Sequence, residues 1–84
     1  MENRQQLWDM GYEDAVVFEN PDYDSAIIGV STDGRAVYSY NLIIEHLVMT
    51  DGMSVEDAAE FIDFNTIRAL DYIENAPIVV YDLI

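Results

Sequence analysis

The sequence contains neither cysteine nor lysine, and each absence excludes a class of chemistry. Without cysteine the chain can form no disulfide, no thiolate metal site and no cysteine nucleophile. Without lysine it lacks the residue that reaches the phosphates in a P-loop, and its four glycines form no nucleotide-binding pattern. We therefore expect no cofactor, and the absence of cysteine suits a reducing cytoplasm.

Long hydrophobic runs are also missing. No stretch of about 18 apolar residues, the length that spans a membrane, occurs in the sequence. The opening stretch "MENRQQLWDM" has no apolar segment behind Arg4, whereas a secretory signal would have one there. We expect neither secretion nor membrane insertion and predict a cytoplasmic location.

Basic residues are scarce. Arg4, Arg35 and Arg68 are the only cations beside 17 acidic residues, which gives a net charge of −14. Most carboxylates therefore cannot be paired within the chain. Their field repels nucleic acid and anionic membranes and attracts cations and basic protein surfaces. We expect the partner to be a protein with a basic surface.

The remaining composition is that of one folded domain. Hydrophobic residues make up 51% of the chain, and six tyrosines, three phenylalanines and one tryptophan can supply large buried contacts. A chain of 84 residues is too short to divide into two hydrophobic cores. The sequence predicts a single domain over residues 1–84.

The first predicted elements are short. "NRQQLWDM", residues 3–10, is typical of one or two helical turns that end at Gly11. "AVVFE", residues 15–19, predicts a strand, and "NPDYD", residues 20–24, predicts the turn after it.

A β-hairpin is the clearest pattern in the next segment. Residues 25–31 and 35–40 are rich in β-branched and aromatic side chains, and Asp33-Gly34 between them is a strong two-residue turn signal. We interpret this pair as a turn and not as a ligand site. With the pair at the tip, Val30 lies opposite Val37. One face then carries Ile28, Val30 and Val37, and the other carries Tyr38 and Tyr40.

Helical periodicity replaces the strand pattern from Asn41. One helix is expected up to Gly52, and a second begins after Ser54, with Asp57 in the capping-box position. Asn65 is a candidate for a kink or a break in that second helix. Its apolar stripe consists of Val55, Ala58, Ala59, Ile62, Thr66, Ala69, Leu70 and Ile73.

Pro77 prevents further helix, and "IVVYDLI", residues 78–84, predicts a final strand. The order of elements predicts an α+β fold with a small three- to four-stranded, mostly antiparallel sheet and two or three helices packed on one face. The predicted core consists of Ile28, Val30, Val37, Leu47, Ile62, Leu70, Ile78 and Val80.

Catalytic and metal-binding patterns are weak. Asn20, Asp22 and Asp24 alternate as the first ligands of a calcium loop do, but the glycine and glutamate that such a loop requires further on are replaced by serines. His46 has no cysteine, no sequence-adjacent serine and no further histidine to form a nucleophilic pair or a zinc site with. We expect no enzyme, no metal and no catalytic residues. An enzyme completed by a partner remains the rival hypothesis.

The acidic residues themselves are the main functional candidates. Those of the helix after Ser54 lie near one stripe, opposite the apolar one. A row of carboxylates resembles phosphates in sign, so the chain can imitate a nucleic acid and occupy the basic groove of a DNA- or RNA-binding protein. The simpler interpretation is a surface that only keeps the protein soluble. The carboxylates of this stripe are Glu56, Glu60, Asp63, Asp71 and Glu74.

An alternative function uses the aromatic face of the hairpin. Tyr38 and Tyr40 would form an exposed patch of a regulatory or structural interaction subunit. A chain so short and so apolar would then self-associate, and a homodimer is the expected form.

Two longer stretches resemble a known group of proteins. "FENPDYDSAIIGVSTDGRAVYSYNLIIEHL" and "DGMSVEDAAEFIDFNTIRALDYIENAPIVVYDL" together cover residues 18–83 and resemble a family of small acidic proteins from Firmicutes and their phages. The resemblance implies a compact fold and a mobile-element setting, and it carries over no catalytic residue. Members often have a proline where this chain has Asp71, so a helix break after Leu70 is not implied. Small acidic phage proteins include anti-CRISPR inhibitors that mimic nucleic acid, an analogy that favours the mimic hypothesis.

Overall fold

The sheet has three strands in the order β1-β2-β3, in a computed structural model that describes residues 2–19 and 22–83. The strands are β1 (Ile27–Val30), β2 (Ala36–Ser39) and β3 (Ile78–Val80). β1 and β2 pair antiparallel, whereas β3 pairs parallel with β2. The α+β class is as predicted, but the mostly antiparallel sheet is not. Residues 40–77, which are mostly helical, form the long connection that parallel neighbours require.

The fourth strand, predicted at residues 15–19, is absent from the described part of the chain. Those residues have no regular secondary structure. The backbone N–H of Phe18 donates to the hydroxyl of Tyr38 at 3.0 Å, so a side chain takes the place of a strand partner. The predicted turn at 20–24 includes Asn20 and Pro21, which lie outside the described residues. Its end continues into a 3₁₀ turn, Asp24–Ala26.

The hairpin forms, but with a register different from the predicted one. Ser31 pairs with Arg35 around a three-residue loop, and the N–H of Gly34 donates to the Ser31 carbonyl at 2.9 Å. Gly34 has φ +85°, the left-handed conformation that such a loop needs at its last residue. An irregularity between residues 27 and 29 shifts the pairing again, so that Ile27 lies opposite Tyr38. The predicted pairs and faces are therefore wrong, because a shift of one residue turns side chains to the other face.

Of the three α-helices in the described part of the chain, the first packs on β1, the second on β2, and the third on the second helix. They are α1 (Glu2–Asp9), α2 (Tyr40–Asp51) and α3 (Val55–Phe61). Ser39 caps the start of α2, where its hydroxyl accepts a hydrogen bond from the N–H of Leu42 at 3.1 Å, and Gly52, with φ +70°, caps its end. α3 passes directly into a π-helix, Ile62–Ile67, and then into a 3₁₀-helix, Arg68–Tyr72. No helix among the described residues has both the length and the apolar character needed to cross a bilayer.

The hydrophobic core lies between the hairpin and the helices. The radius of gyration of the chain, 12.4 Å, is that of a compact domain. Leu47 and Ile62 are fully buried, as predicted. Ile28 is 51% exposed at the irregularity of β1, so its predicted place in the core is wrong. The other predicted core residues, Val30, Val37, Leu70, Ile78 and Val80, are only half-buried. The largest fully buried side chains are Tyr23, Tyr38, Ile43, Leu47 and Ile62.

Candidate functional site

The candidate site is the acidic side of the helical segment 55–74, called here the acidic stripe. All five predicted carboxylate residues are exposed on it. The prediction that they share one continuous α-helix is wrong. Regular α-helix ends at Phe61, and Glu74 follows the last helical turn. Glu56 and Glu60 lie in α3, Asp63 in the π-helix, Asp71 in the 3₁₀-helix and Glu74 in the turn after it.

The start of the acidic stripe is fixed by a helix cap. The hydroxyl of Ser54 accepts a hydrogen bond from the N–H of Asp57 at 3.1 Å, as the sequence predicts. Glu56 and Asp57 occupy the first turn, where the positive end of the helix favours carboxylates. Glu60 follows Glu56 at the i, i+4 spacing, which puts neighbouring side chains about 5–6 Å apart on one face.

The π-helix adds a wide turn in the middle of the acidic stripe. The side-chain amide of Asn65 donates to the carbonyl of Phe61 at 3.2 Å, next to the point where the α-helix ends. Ile62 and Thr66 are buried on the inner side of this wide turn. The predicted break at Asn65 is thus an irregularity in the helical winding, while the chain continues in the same segment to Tyr72.

No arginine forms an ion pair with the acidic stripe among the described residues. Arg4 forms ion pairs with Asp22 at 3.4 Å and Asp24 at 3.6 Å. Arg35 pairs with Asp33 at 3.2 Å. The guanidinium of Arg68, the only one within the segment itself, lies 5.5 Å from the ring centroid of Phe64 and forms no ion pair among the described residues. None of the five carboxylates of the acidic stripe therefore forms an ion pair with an arginine among the described residues.

Tyr38 is fully buried, which contradicts its predicted place on an exposed aromatic face. Its ring packs edge-on against Phe18 with centroids 4.7 Å apart. Burial raises the pKa of its hydroxyl, while the hydrogen bond from the Phe18 N–H lowers it. A side chain enclosed in this way cannot contact a partner unless the domain opens.

Tyr40 is half-buried and lies close to the acidic stripe. Its hydroxyl donates to Asp63 at 3.5 Å, and its ring lies 4.8 Å from that of Tyr81. Burial raises the pKa of Tyr40, and the nearby Asp63 carboxylate raises it further. Tyr40 therefore forms part of the edge of the acidic stripe, separate from the buried Tyr38.

The other candidate groups have structural contacts. His46 is half-buried and packs edge-on against Tyr23, with ring centroids 5.7 Å apart. The carboxylates of Asp22 and Asp24, considered as calcium ligands, contact Arg4, and Asn20 lies outside the described residues. Within residues 2–19 and 22–83, no group of three or more histidine or acidic side chains is arranged to hold a metal ion.

One apolar groove on this segment did not emerge from the sequence patterns. It has a volume of about 390 Å³, and Phe64 at its surface is 62% exposed. The signal in the sequence is that Phe64 lies outside the apolar stripe of the helix, three residues after Phe61. The groove, called here the Phe64 groove, is lined by Met53, Asp57, Glu60, Phe61, Phe64 and Asn65.

Comparisons of the chain with protein-family models, with curated proteins and with solved structures each found no match. The acidic stripe and the Phe64 groove are therefore the features from which a function is inferred.

Proposed function

We propose that this chain is a non-enzymatic protein-binding module whose carboxylates imitate nucleic-acid phosphates and occupy the basic site of a DNA- or RNA-binding protein. One observation carries the proposal: the acidic stripe is exposed and unpaired with any described arginine, in a chain of net charge −14. Such a field attracts basic surfaces and accelerates association with them. The absence of cysteine and the family resemblance suit a cytoplasmic protein of phage or mobile-element origin.

The spacing of the charges limits how close the imitation is. Neighbours at i, i+4 on a helix lie about 5–6 Å apart, whereas each strand of duplex DNA carries one phosphate about every 3.4 Å. The acidic stripe thus presents the sign of a phosphate backbone at a lower density. We expect binding that depends strongly on salt, because charge pairs at a surface are screened within about 10 Å at 0.1 M salt.

The test uses two variants with the same loss of charge. In the first, the glutamates and aspartates of the acidic stripe become Gln and Asn. In the matched control, an equal number of exposed acidic residues elsewhere is changed in the same way. The control positions are Asp9, Glu13, Asp14, Glu45 and Asp51.

Each immobilised protein is incubated with host lysate at about 50 mM and about 200 mM salt. We expect the parent chain and the control to retain a nucleic-acid-binding protein at low salt, duplex DNA or RNA to displace it, and the stripe variant to lose it. Circular dichroism checks that both variants are folded. The proposal would be refuted if no such protein were retained at low salt. It would also be refuted if retention changed neither with salt nor with the stripe substitutions.

The alternative of an interaction subunit loses one of its two contact residues. It required Tyr38 and Tyr40 to share an exposed face, and Tyr38 is enclosed in the core. Tyr40 with its neighbour Tyr81 is what remains of that surface. Self-association through it stays a prediction that sedimentation at moderate salt can test, since screening then weakens the repulsion between copies.

A further inference from the structure

The Phe64 groove joins an apolar floor to acidic side chains. Met53 and Phe61 are half-buried and pack against the hydrophobic core, so they form a fixed base. Phe64 exposes 62% of its surface beside them. Asp57 and Glu60 are exposed on the same groove. An exposed apolar surface with a polar rim is typical of a protein-interaction site.

The position of Arg68 indicates the chemistry that this groove accepts. Its guanidinium lies 5.5 Å from the centroid of the Phe64 ring, within the range of a cation–π contact. Arg68 forms no ion pair among the described residues, and its guanidinium contacts the Phe64 ring. The chain's own arginine thus shows that the Phe64 ring accepts a guanidinium group.

We propose that the Phe64 groove binds a short segment of a partner protein in which an apolar side chain is flanked by arginines. The apolar side chain would contact Met53, Phe61 and Phe64, and the flanking guanidinium groups would face Asp57, Glu60 and the Phe64 ring. Methionine suits such a site because its flexible side chain adapts to different apolar shapes. The inference rests on the proposed function and adds to it an apolar anchor, which bare phosphate mimicry lacks.

A second copy of this chain does not fit the same groove. Each copy has a net charge of −14, and two of its three arginines are held in ion pairs with aspartates. Two copies would bring like charges together at Asp57 and Glu60, which opposes docking. The acidic residues of the groove therefore favour a basic partner over a second copy of this chain.

The test measures binding of two synthetic peptides at about 150 mM salt. The first has arginines on both sides of a tryptophan and a leucine. In the second, serine replaces the tryptophan and the leucine, so that only the charge remains. Fluorescence anisotropy of the labelled peptides gives the affinities, and amide chemical shifts of the protein locate the contact.

We expect the first peptide to bind at least about tenfold more tightly than the second, with shifts centred on residues 53–65. Phe64→Ala should abolish this difference, and Glu60→Gln should weaken both peptides. Because Phe64 is largely exposed, its replacement should leave the fold intact. Tyr72→Ala is the matched control, since Tyr72 is 91% exposed and lies outside the groove, and it should change neither affinity.

Equal binding of the two peptides, unchanged by Phe64→Ala, would overturn the groove and leave phosphate mimicry standing. Failure of both peptides to bind would also overturn it. The lysate experiment judges mimicry separately, because it depends on charge substitutions of the acidic stripe and not on Phe64. Tight binding of the first peptide with shifts away from residues 53–65 would likewise refute the site.

Discussion

The hydroxyl of Tyr38 connects an irregular segment of the chain to the middle of the sheet. It accepts the Phe18 N–H at 3.0 Å, and the two rings meet edge-on. Tyr23, also fully buried, approaches Thr66 with its hydroxyl at 3.4 Å. Two tyrosine hydroxyls thus lie inside the domain in their neutral form. Burial raises the pKa of both, which links folding to the state of these protons.

We expect the domain to lose stability in alkaline solution. A tyrosine whose folded pKa lies above the unfolded value of about 10 favours the folded state below that pH. This stabilisation is lost as the pH rises through the folded pKa. Far-UV circular dichroism and tyrosinate absorbance, recorded together, should show unfolding coincident with the ionisation of the buried tyrosines. Ionisation of all tyrosines with an unchanged dichroism spectrum would contradict the prediction.

Tyr38→Phe removes both the hydrogen-bond acceptor and the ionising hydroxyl, and the two effects on stability are measured at different pH. The variant leaves the Phe18 N–H without its partner and should lose about 1 kcal/mol near neutral pH. Its unfolding free energy should then fall less steeply with alkaline pH, because one ionising group is gone. Tyr72→Phe, at an exposed position, is the control and should change neither quantity.

The burial of Tyr38 is a feature that the sequence pattern could not predict. Alternation in the strand established that one face of the hairpin is buried, but it did not fix which one. Which face is buried depends on the register of the strands, and the register depends on whether the loop contains two residues or three. The Asp-Gly signal fits both turns. The exposed carboxylates of the acidic stripe were easier to predict, because charged residues seldom leave water.

At the scale of elements, α3 begins at a site that the sequence specifies strongly. The hydroxyl of Ser54 accepts the Asp57 N–H, which would otherwise have no partner in the helix. Ser54→Ala should lower the unfolding free energy by about 1 kcal/mol in urea titration. Ser25→Ala is the control, since this exposed serine makes no side-chain hydrogen bond among the described residues, and it should change stability by less than about 0.5 kcal/mol.

Amide exchange gives a second readout of the same variant. Loss of the cap should increase exchange mainly in residues 55–61, at the start of the segment. Equal effects of the Ser54 and Ser25 substitutions on stability and exchange would show that the cap contributes nothing.

Helix ends were predicted better than strands. Ser54 and Gly52 act through local backbone chemistry, so a few residues of sequence suffice to place them. Residues 15–19 have the composition of a strand, yet the Phe18 N–H bonds to a side chain distant in sequence. In the π-helix after Phe61, Ile62 and Thr66 are likewise buried, and Thr66 contacts the hydroxyl of Tyr23, which is distant in sequence. Such long-range contacts are not visible in a local pattern.

At the scale of the whole molecule, charge acts against the fold. With a net charge of −14, like charges repel across a small surface. The melting temperature should therefore rise by several degrees between about 10 mM and about 1 M sodium chloride. Both charge-reduced variants described above should melt at higher temperatures than the parent in low salt and respond less to salt. A melting temperature independent of salt in all three proteins would contradict this.

The parallel pairing of β3 has a consequence for how the chain assembles during synthesis. The hairpin can form early, because its two strands are close in sequence, but β2 keeps an open edge until residues 40–80 have left the ribosome. An open strand edge is a template for pairing with another nascent chain. Seven acidic residues precede the hairpin in the sequence, so neighbouring copies already repel one another at this stage. The same charge that weakens the finished domain therefore protects its unfinished sheet from aggregation.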